Sequence, residues 1–399
     1  METKATPCGK RLIAYLLTII LIVGMLPISA GAASQGDLQD MLTAQIQYYQ
    51  TNKMWAPLTA LGVYALTRDI ELGSVEFNTS YTGSNGYSGV RMTGCIDAVA
   101  AIDSMALGLN PRRYYKLSNG ILEQTPTDLI SELLNSLQSD GTFKQTTTQA
   151  PPNTHSTSLY AILALEMFYG GRNWARAGGN EKQTRVGAIE AFLECFTDAK
   201  YVHATNATND WEIENGRLLA PIGAANALMA NRMPAQLDAA LLLSRWLEDE
   251  TLVSVNGEPQ QALKVIAAKE LNGLLKSFKG LYNGEGASGK LSTLQDAIKN
   301  RANLPIYISV LIAAGQKEQV DELGLMDTLL SWFATEEDVA TYDKVKASDL
   351  GGYLDRANNN TSPYVNVSTV FRGTIALGDY LHNESVYKTL TYSPELGES

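Results

Sequence analysis

The chain has 399 residues, a formal net charge of −11 and three cysteines. Its acid excess argues against nucleic-acid binding, which needs clustered Lys and Arg to grip phosphate. At 45% apolar residues it can bury a large core, and no Pro/Ser-rich linker divides it, so one domain is expected.

Residues 1–32 read as a secretory signal peptide. Lys4, Lys10 and Arg11 give the positive start, Leu12 to Leu26 the apolar stretch, Pro27 a break, and Ala30-Gly31-Ala32 a small-x-small cleavage pattern. A retained membrane anchor is the competing reading, because the apolar run is long. Cys8 precedes that run, so it is not a lipidation cysteine. No later segment is apolar over the length a bilayer requires. The expected location is outside the cell or on its surface, as a monomer. Cys95 and Cys195 remain in the mature chain, either as one disulfide or as two buried thiols.

Beyond the leader, helical periodicity dominates and two kinds of segment alternate. One kind is apolar nearly all round: Trp55 to Leu66, Gly94 to Gly108, His155 to Phe168, Gly216 to Ala230, Leu304 to Gly315 and Val367 to Leu381. A helix apolar on every side is buried on every side. The other kind is amphipathic: Asp37 to Gln50, Thr127 to Leu137, Thr184 to Phe196, Gln236 to Asp249, Gln261 to Phe278 and Glu318 to Phe333. Asp69 to Met92 shows no outer helix; its part from Val75 to Met92 is a polar, aromatic loop of functional length. Ala347 to Asn366 is a similar loop near the other end. Gly284 to Ser292 matches G-x-G-x-x-G, but it follows the end of a helix instead of a strand, so it reads as a plain glycine loop.

About six buried helices alternating with about six half-buried ones predict an all-α fold, an α/α toroid spanning residues 33–383 with a short tail over 384–399. "LLNSLQSDGTF" (Leu133 to Phe143) then reads as an outer helix ended by a Gly141 cap, with Phe143 packed back beneath it. "NTHSTS" supplies N-cap residues for the next inner helix.

These residues also carry a resemblance. "LLNSLQSDGTF…THSTSLYAILAL" is similar to the repeat of the squalene-cyclase and prenyltransferase-type α/α toroid, in which a Leu-rich helix ends in Gln-x-x-Asp-Gly-x-Phe. Gln138 stands one residue closer to Asp140 than that pattern asks. "AIDSMALGLNPRR" (Ala101 to Arg113) resembles the companion Ala-rich helix ending in Gly-Leu-x-Pro. The specific matches run from Trp55 to Asn231. The superfamily includes exported bacterial proteins and relatives of cobalamin carriers that use the toroid without cyclase chemistry.

The reactive sets of that superfamily are missing. The chain has no Asp-x-Asp-Asp cluster, its three histidines are isolated, and Cys95-Ile96-Asp97-Ala98 stands where a thioester would need Cys-Gly-Glu-Gln. Paired carboxylates would serve a glycosidase or lyase. Asp97 and Asp103 lie about 120° apart around one helix and share no face. Glu212 and Glu214 flank the expected start of an inner helix, where acids favour the dipole regardless of function.

If all inner helices run one way, their amino ends converge on one mouth, with unpaired N–H groups suited to polar or anionic ligands. Trp55, Cys95, Thr154, His155, Trp211, Glu214, Arg217, Ser368 and Thr369 would line it, with Tyr87 and Arg91 contributed by the Val75–Met92 loop. The tryptophans serve there either as stacking platforms or as ordinary helix-end packing. The expected role is a non-catalytic binding or interaction module for a small molecule, glycan or surface partner. No cofactor or metal is called for. The alternatives are an extracellular glycan-acting enzyme and a structural module without ligand.

Overall fold

A computed structural model describes residues 44, 45, 48, 58–68, 96–114, 117–118, 121–122, 125–144, 154–197, 213–214, 217–218, 237–283, 298–299, 303–354, 363–365 and 367–392. The expected signal peptide over residues 1–32 and the expected loops at Val75–Met92 and Gly284–Ser292 fall outside them, as does nearly all of Asp37–Gln50. The described residues are mainly helical: α1 (Thr59–Thr67), α2 (Ile96–Ala106), α3 (Leu129–Ser136), α4 (Thr154–Tyr169) and α5 (Arg185–Thr197). Then follow α6 (residues 237–245), α7 (Leu263–Asn283), α8 (Leu304–Ala313), α9 (Lys317–Glu322) and α10 (Leu325–Leu330). The last are α11 (Glu336–Thr341), α12 (Val367–His382) and α13 (Val386–Thr389).

Among the described residues, strand is confined to three antiparallel pairs of two-residue pieces. They are β1 (Leu117–Ser118) with β2 (Ile121–Leu122), β3 (Ile213–Glu214) with β4 (Arg217–Leu218), and β5 (Leu252–Val253) with β6 (Gln261–Ala262).

The apolar helices pack in a row, α8 on α12, α12 on α1, α1 on α2 and α2 on α4. Small residues set the spacing. A Cβ on Gly62 would meet Thr374 Cγ2 at 3.3 Å and the Phe371 carbonyl at 3.5 Å, while one on Gly378 would collide with the Ala65 carbonyl. Both glycines therefore sit where backbones touch, and the order of the contacts makes α1 and α12 parallel. α3 and α5 lie against this row, on α2 and α4. α8 is buried at every position, as an apolar helix without a polar face must be.

Some ends are capped from a distance. Leu58, at φ 63, precedes α1, and its N–H donates to Asp103 Oδ2 of α2 at 2.9 Å, while that of Leu61 reaches Oδ1 at 3.2 Å. Asp103 is thus the N-terminal cap of a neighbouring helix. α3 uses its own Asp128, which accepts from Ser131 N at 2.9 Å.

Several expectations need correction. α3 ends at Leu137 in extended backbone, so Gly141 (φ 87) is not its cap. It closes a reverse turn in which the Gly141 N–H donates to the Gln138 carbonyl and Leu137 bridges to Phe143. Phe143 is nevertheless fully buried, with its ring 6.4 Å from that of Trp174 and its N–H donating to Ser158 Oγ of α4 at 3.2 Å. The Glu318–Phe333 segment breaks in two at Gly324, whose φ of 60 ends one helix and begins the next. α6 is buried from Leu237 through Ser244 instead of half-buried. Within the expected Ala347–Asn366 loop, residues 351–354 are buried, with Gly351 against the Ala44 carbonyl. The expected tail at 384–399 is structured at least to Tyr392, because Val386, Tyr387, Leu390 and Tyr392 bury their side chains.

Candidate functional site

Trp55, Tyr87, Arg91, Cys95 and Trp211 lie outside the described residues. His155 belongs to the first turn of α4, and Cys195 to the last turn of α5. Glu214 and Arg217 are brought together as Cα partners across β3 and β4. Arg217 is therefore on a strand, not at the start of an inner helix. Asp97 opens α2, half-buried, while Asp103 is committed to α1.

The structure draws attention instead to charges buried inside apolar helices. Glu166 and Arg185, each 1% exposed, form a two-pronged pair at 2.7 and 2.8 Å, joining the end of α4 to the start of α5. Arg185 also pairs with Asp249 and donates to Thr251 Oγ1 at 2.8 Å. The indole N–H groups of Trp174 and Trp246 complete the Glu166 carboxylate, each at 3.3 Å. Burial opposes the Arg185 charge, yet Glu166 and Asp249 hold its pKa above the usual guanidinium range. Every partner is satisfied, which marks this cluster as a brace and not a reactive centre.

A second group lies between α4, α6, α12 and α13. The Tyr160 hydroxyl donates to Asp238, and the positive charge of Arg372 acts on both. Burial raises the Asp238 carboxyl to about 6 against the Arg372 charge and the Tyr160 hydrogen bond. Tyr387 sits within the field of Asp238, Asp379, Arg372 and Asp103, and its hydroxyl is pushed up, by burial first.

The third group roots the C-terminal segment. Asp379 of α12 is fully buried, pairs with Arg68 at 3.5 Å and accepts the Val386 N–H at 2.9 Å. Burial lifts its carboxyl to about 7 even so. The Ser309 and Ser385 hydroxyls lie close enough to favour its charge, without completing a hydrogen bond to Oδ2. Asp379 Oδ2, Ser385 Oγ and Arg68 Nε and Nη1 are all shielded from solvent and lack a hydrogen-bond partner.

From this root, residues 383–392 cross the carboxyl ends of the apolar helices. The Glu384 carbonyl accepts from Arg68, at the end of α1. Arg245 of α6 donates to the carbonyls of Tyr387 at 3.1 Å and Lys388 at 2.9 Å, and to Thr391 Oγ1 at 3.0 Å. At the end of α4, the Tyr392 N–H donates to the Met167 carbonyl at 2.9 Å, and its ring stacks on Phe168 at 5.1 Å.

Sequence reasoning passed over Glu166, Asp238 and Asp379. Their signal was visible, a lone acid within an apolar run such as "LYAILALEMF" or "IALGDYL". Among the described residues no group of three or more His, Cys, Asp or Glu could hold a metal ion, and no helix is long and apolar enough to cross a membrane. Comparison with family models, curated proteins and solved structures finds no match to this chain.

Proposed function

We propose that this chain is an exported, non-catalytic binding or interaction module, built as a single α/α toroid whose ligand enters at the amino ends of the inner helices. The leader over residues 1–32 supports export. The ring reading draws on the row α8–α12–α1–α2–α4, in which the last long helix meets the first and runs parallel to it. Of the expected sixth member, Gly216–Ala230, only Arg217–Leu218 is described, and it forms a strand.

The observation that carries the site is the strap over residues 383–392. It covers the carboxyl ends of α12, α1 and α4, which leaves the amino ends as the way in. Thr154 and His155 open α4 there, and Ser368 and Thr369 open α12. First-turn N–H groups are unpaired donors and favour polar or anionic ligands.

The test is a screen of the mature protein against polysaccharides and small anionic or corrinoid ligands. Saturable binding without turnover supports the reading. Product release from any polymer replaces it with a glycan-acting enzyme, and no binding at all with a structural module. Trp211→Ala should weaken binding by roughly 1–3 kcal/mol, the scale of a lost stacking contact. Phe143→Ala should lower stability and leave affinity per folded molecule unchanged.

A further inference from the structure

Two features of the C-terminal segment pull in opposite directions. Val386, Tyr387, Leu390 and Tyr392 bury apolar surface, which favours docking. At the root, four polar atoms on Asp379, Ser385 and Arg68 are shut away from water without a hydrogen-bond partner, and the Arg68–Asp379 ion pair at 3.5 Å offsets only part of their desolvation penalty. Ser385 immediately precedes α13, but its hydroxyl caps nothing. Beyond the root, the side-chain hydrogen bonds to the strap centre on Arg245, whose donors reach three of its residues, beside the bond from the Tyr392 N–H to the Met167 carbonyl.

We propose that residues 383–392 form a gate, undocking as a unit from the carboxyl ends of α1, α4 and α12 and opening the polar interior around Tyr160, Asp238, Arg372 and Asp379. Undocking hydrates the unpartnered atoms at the root, and this offsets part of the apolar area lost. The rest of the row does not depend on the strap, because α8, α12, α1, α2 and α4 are packed on one another directly. Local opening of such a unit lies well below the cost of global unfolding. The opening is a resting-state fluctuation at the end opposite the proposed mouth, so its test is independent of any ligand.

Hydrogen exchange of the full mature chain, resolved by peptide, tests the gate. Backbone amides from Val386 to Tyr392 should exchange with one common rate, at least about tenfold faster than those of α8 and the middle of α12. Ser385→Ala removes an unpartnered hydroxyl and should slow exchange of the strap several-fold. Arg245→Ala should accelerate it by about tenfold or more, with the α8 amides unchanged. Strap amides that exchange only with the core, in the wild type and in Ser385→Ala alike, would overturn the proposal. That outcome is readable even if Arg245→Ala fails to fold.

Discussion

Gly141 and Gly257 both adopt a left-handed backbone, with φ of 87 and 74. A Cβ on Gly257 meets nothing within 4 Å, whereas one on Gly141 would lie 2.7 Å from the Gly187 carbonyl of α5. Gly257→Ala should therefore cost on the order of 1 kcal/mol, the backbone penalty alone. Gly141→Ala should cost at least about 2 kcal/mol, because α5 has to move as well. Urea midpoints of the two variants decide it, and equal losses would mean that the Gly187 contact is slack. Protons report on another single residue. Asp238 titrates at about 6 in the folded chain against an ordinary 3.8, so the folded state holds its proton more tightly. Its contribution to stability is complete below about pH 4 and is lost as pH rises through about 6. Relative to Asp238→Asn, the wild type should lose on the order of 2 kcal/mol between pH 4 and pH 7. Asp379, raised to about 7, and His382, whose pKa burial lowers, are common to both proteins and cancel in the comparison. A flat difference across that range would show that Asp238 is hydrated.

Between elements, the brace of Glu166 and Arg185 should matter far more than surface pairs. Glu166→Gln leaves a buried guanidinium short of its countercharge and should cost on the order of 3 kcal/mol. Glu250→Gln, which breaks the exposed pair with Lys264, should cost under about 1 kcal/mol. Comparable unfolding midpoints for the two would mean that water reaches Arg185. At this scale the sequence was most readable. The apolar and amphipathic periods mark α1 to α8 and α12, since core burial selects for a pattern that local physics repeats. The hairpins were not read, although the same signal stands in both short ones. Asn119-Gly120 separates Leu117–Ser118 from Ile121–Leu122, and Asn215-Gly216 separates Ile213–Glu214 from Arg217–Leu218. Asn-Gly is a strong two-residue hairpin signal. It was masked because "GRLLAPIGAANALMA" continues as an unbroken apolar stretch. The role of Asp103 as a cap for α1 was out of reach, because it joins residues 42 and 45 positions apart. Asp379 is hidden for a like reason, since its ion-pair partner Arg68 lies at the end of α1: a lone acid in an apolar run announces burial, but not its partner.

At the scale of the molecule, the contact of α1 with α12 is the joint on which the proposed ring would depend. Gly378→Leu would drive a side chain into the Ala65 carbonyl and should separate the two helices. The expected result is a lower melting temperature and a larger radius of gyration by small-angle scattering, while far-UV circular dichroism still reports helix. An unchanged radius would mean that the remaining contacts of the row hold the molecule closed without this joint. The joint also ties together residues that are remote in the chain, since His382 Nε2 meets the Leu66 carbonyl at 2.9 Å across 316 positions. Closing so long a loop is a late and slow step, and contacts of that kind hold back folding. Circular permutation would turn the most distant contact into a local one. A chain opened at the exposed Asn256-Gly257 turn and joined through a Gly/Ser linker between its former ends would synthesise α12 and α1 in succession. It should reach the same fold faster than the natural order does, with the joint formed first instead of last.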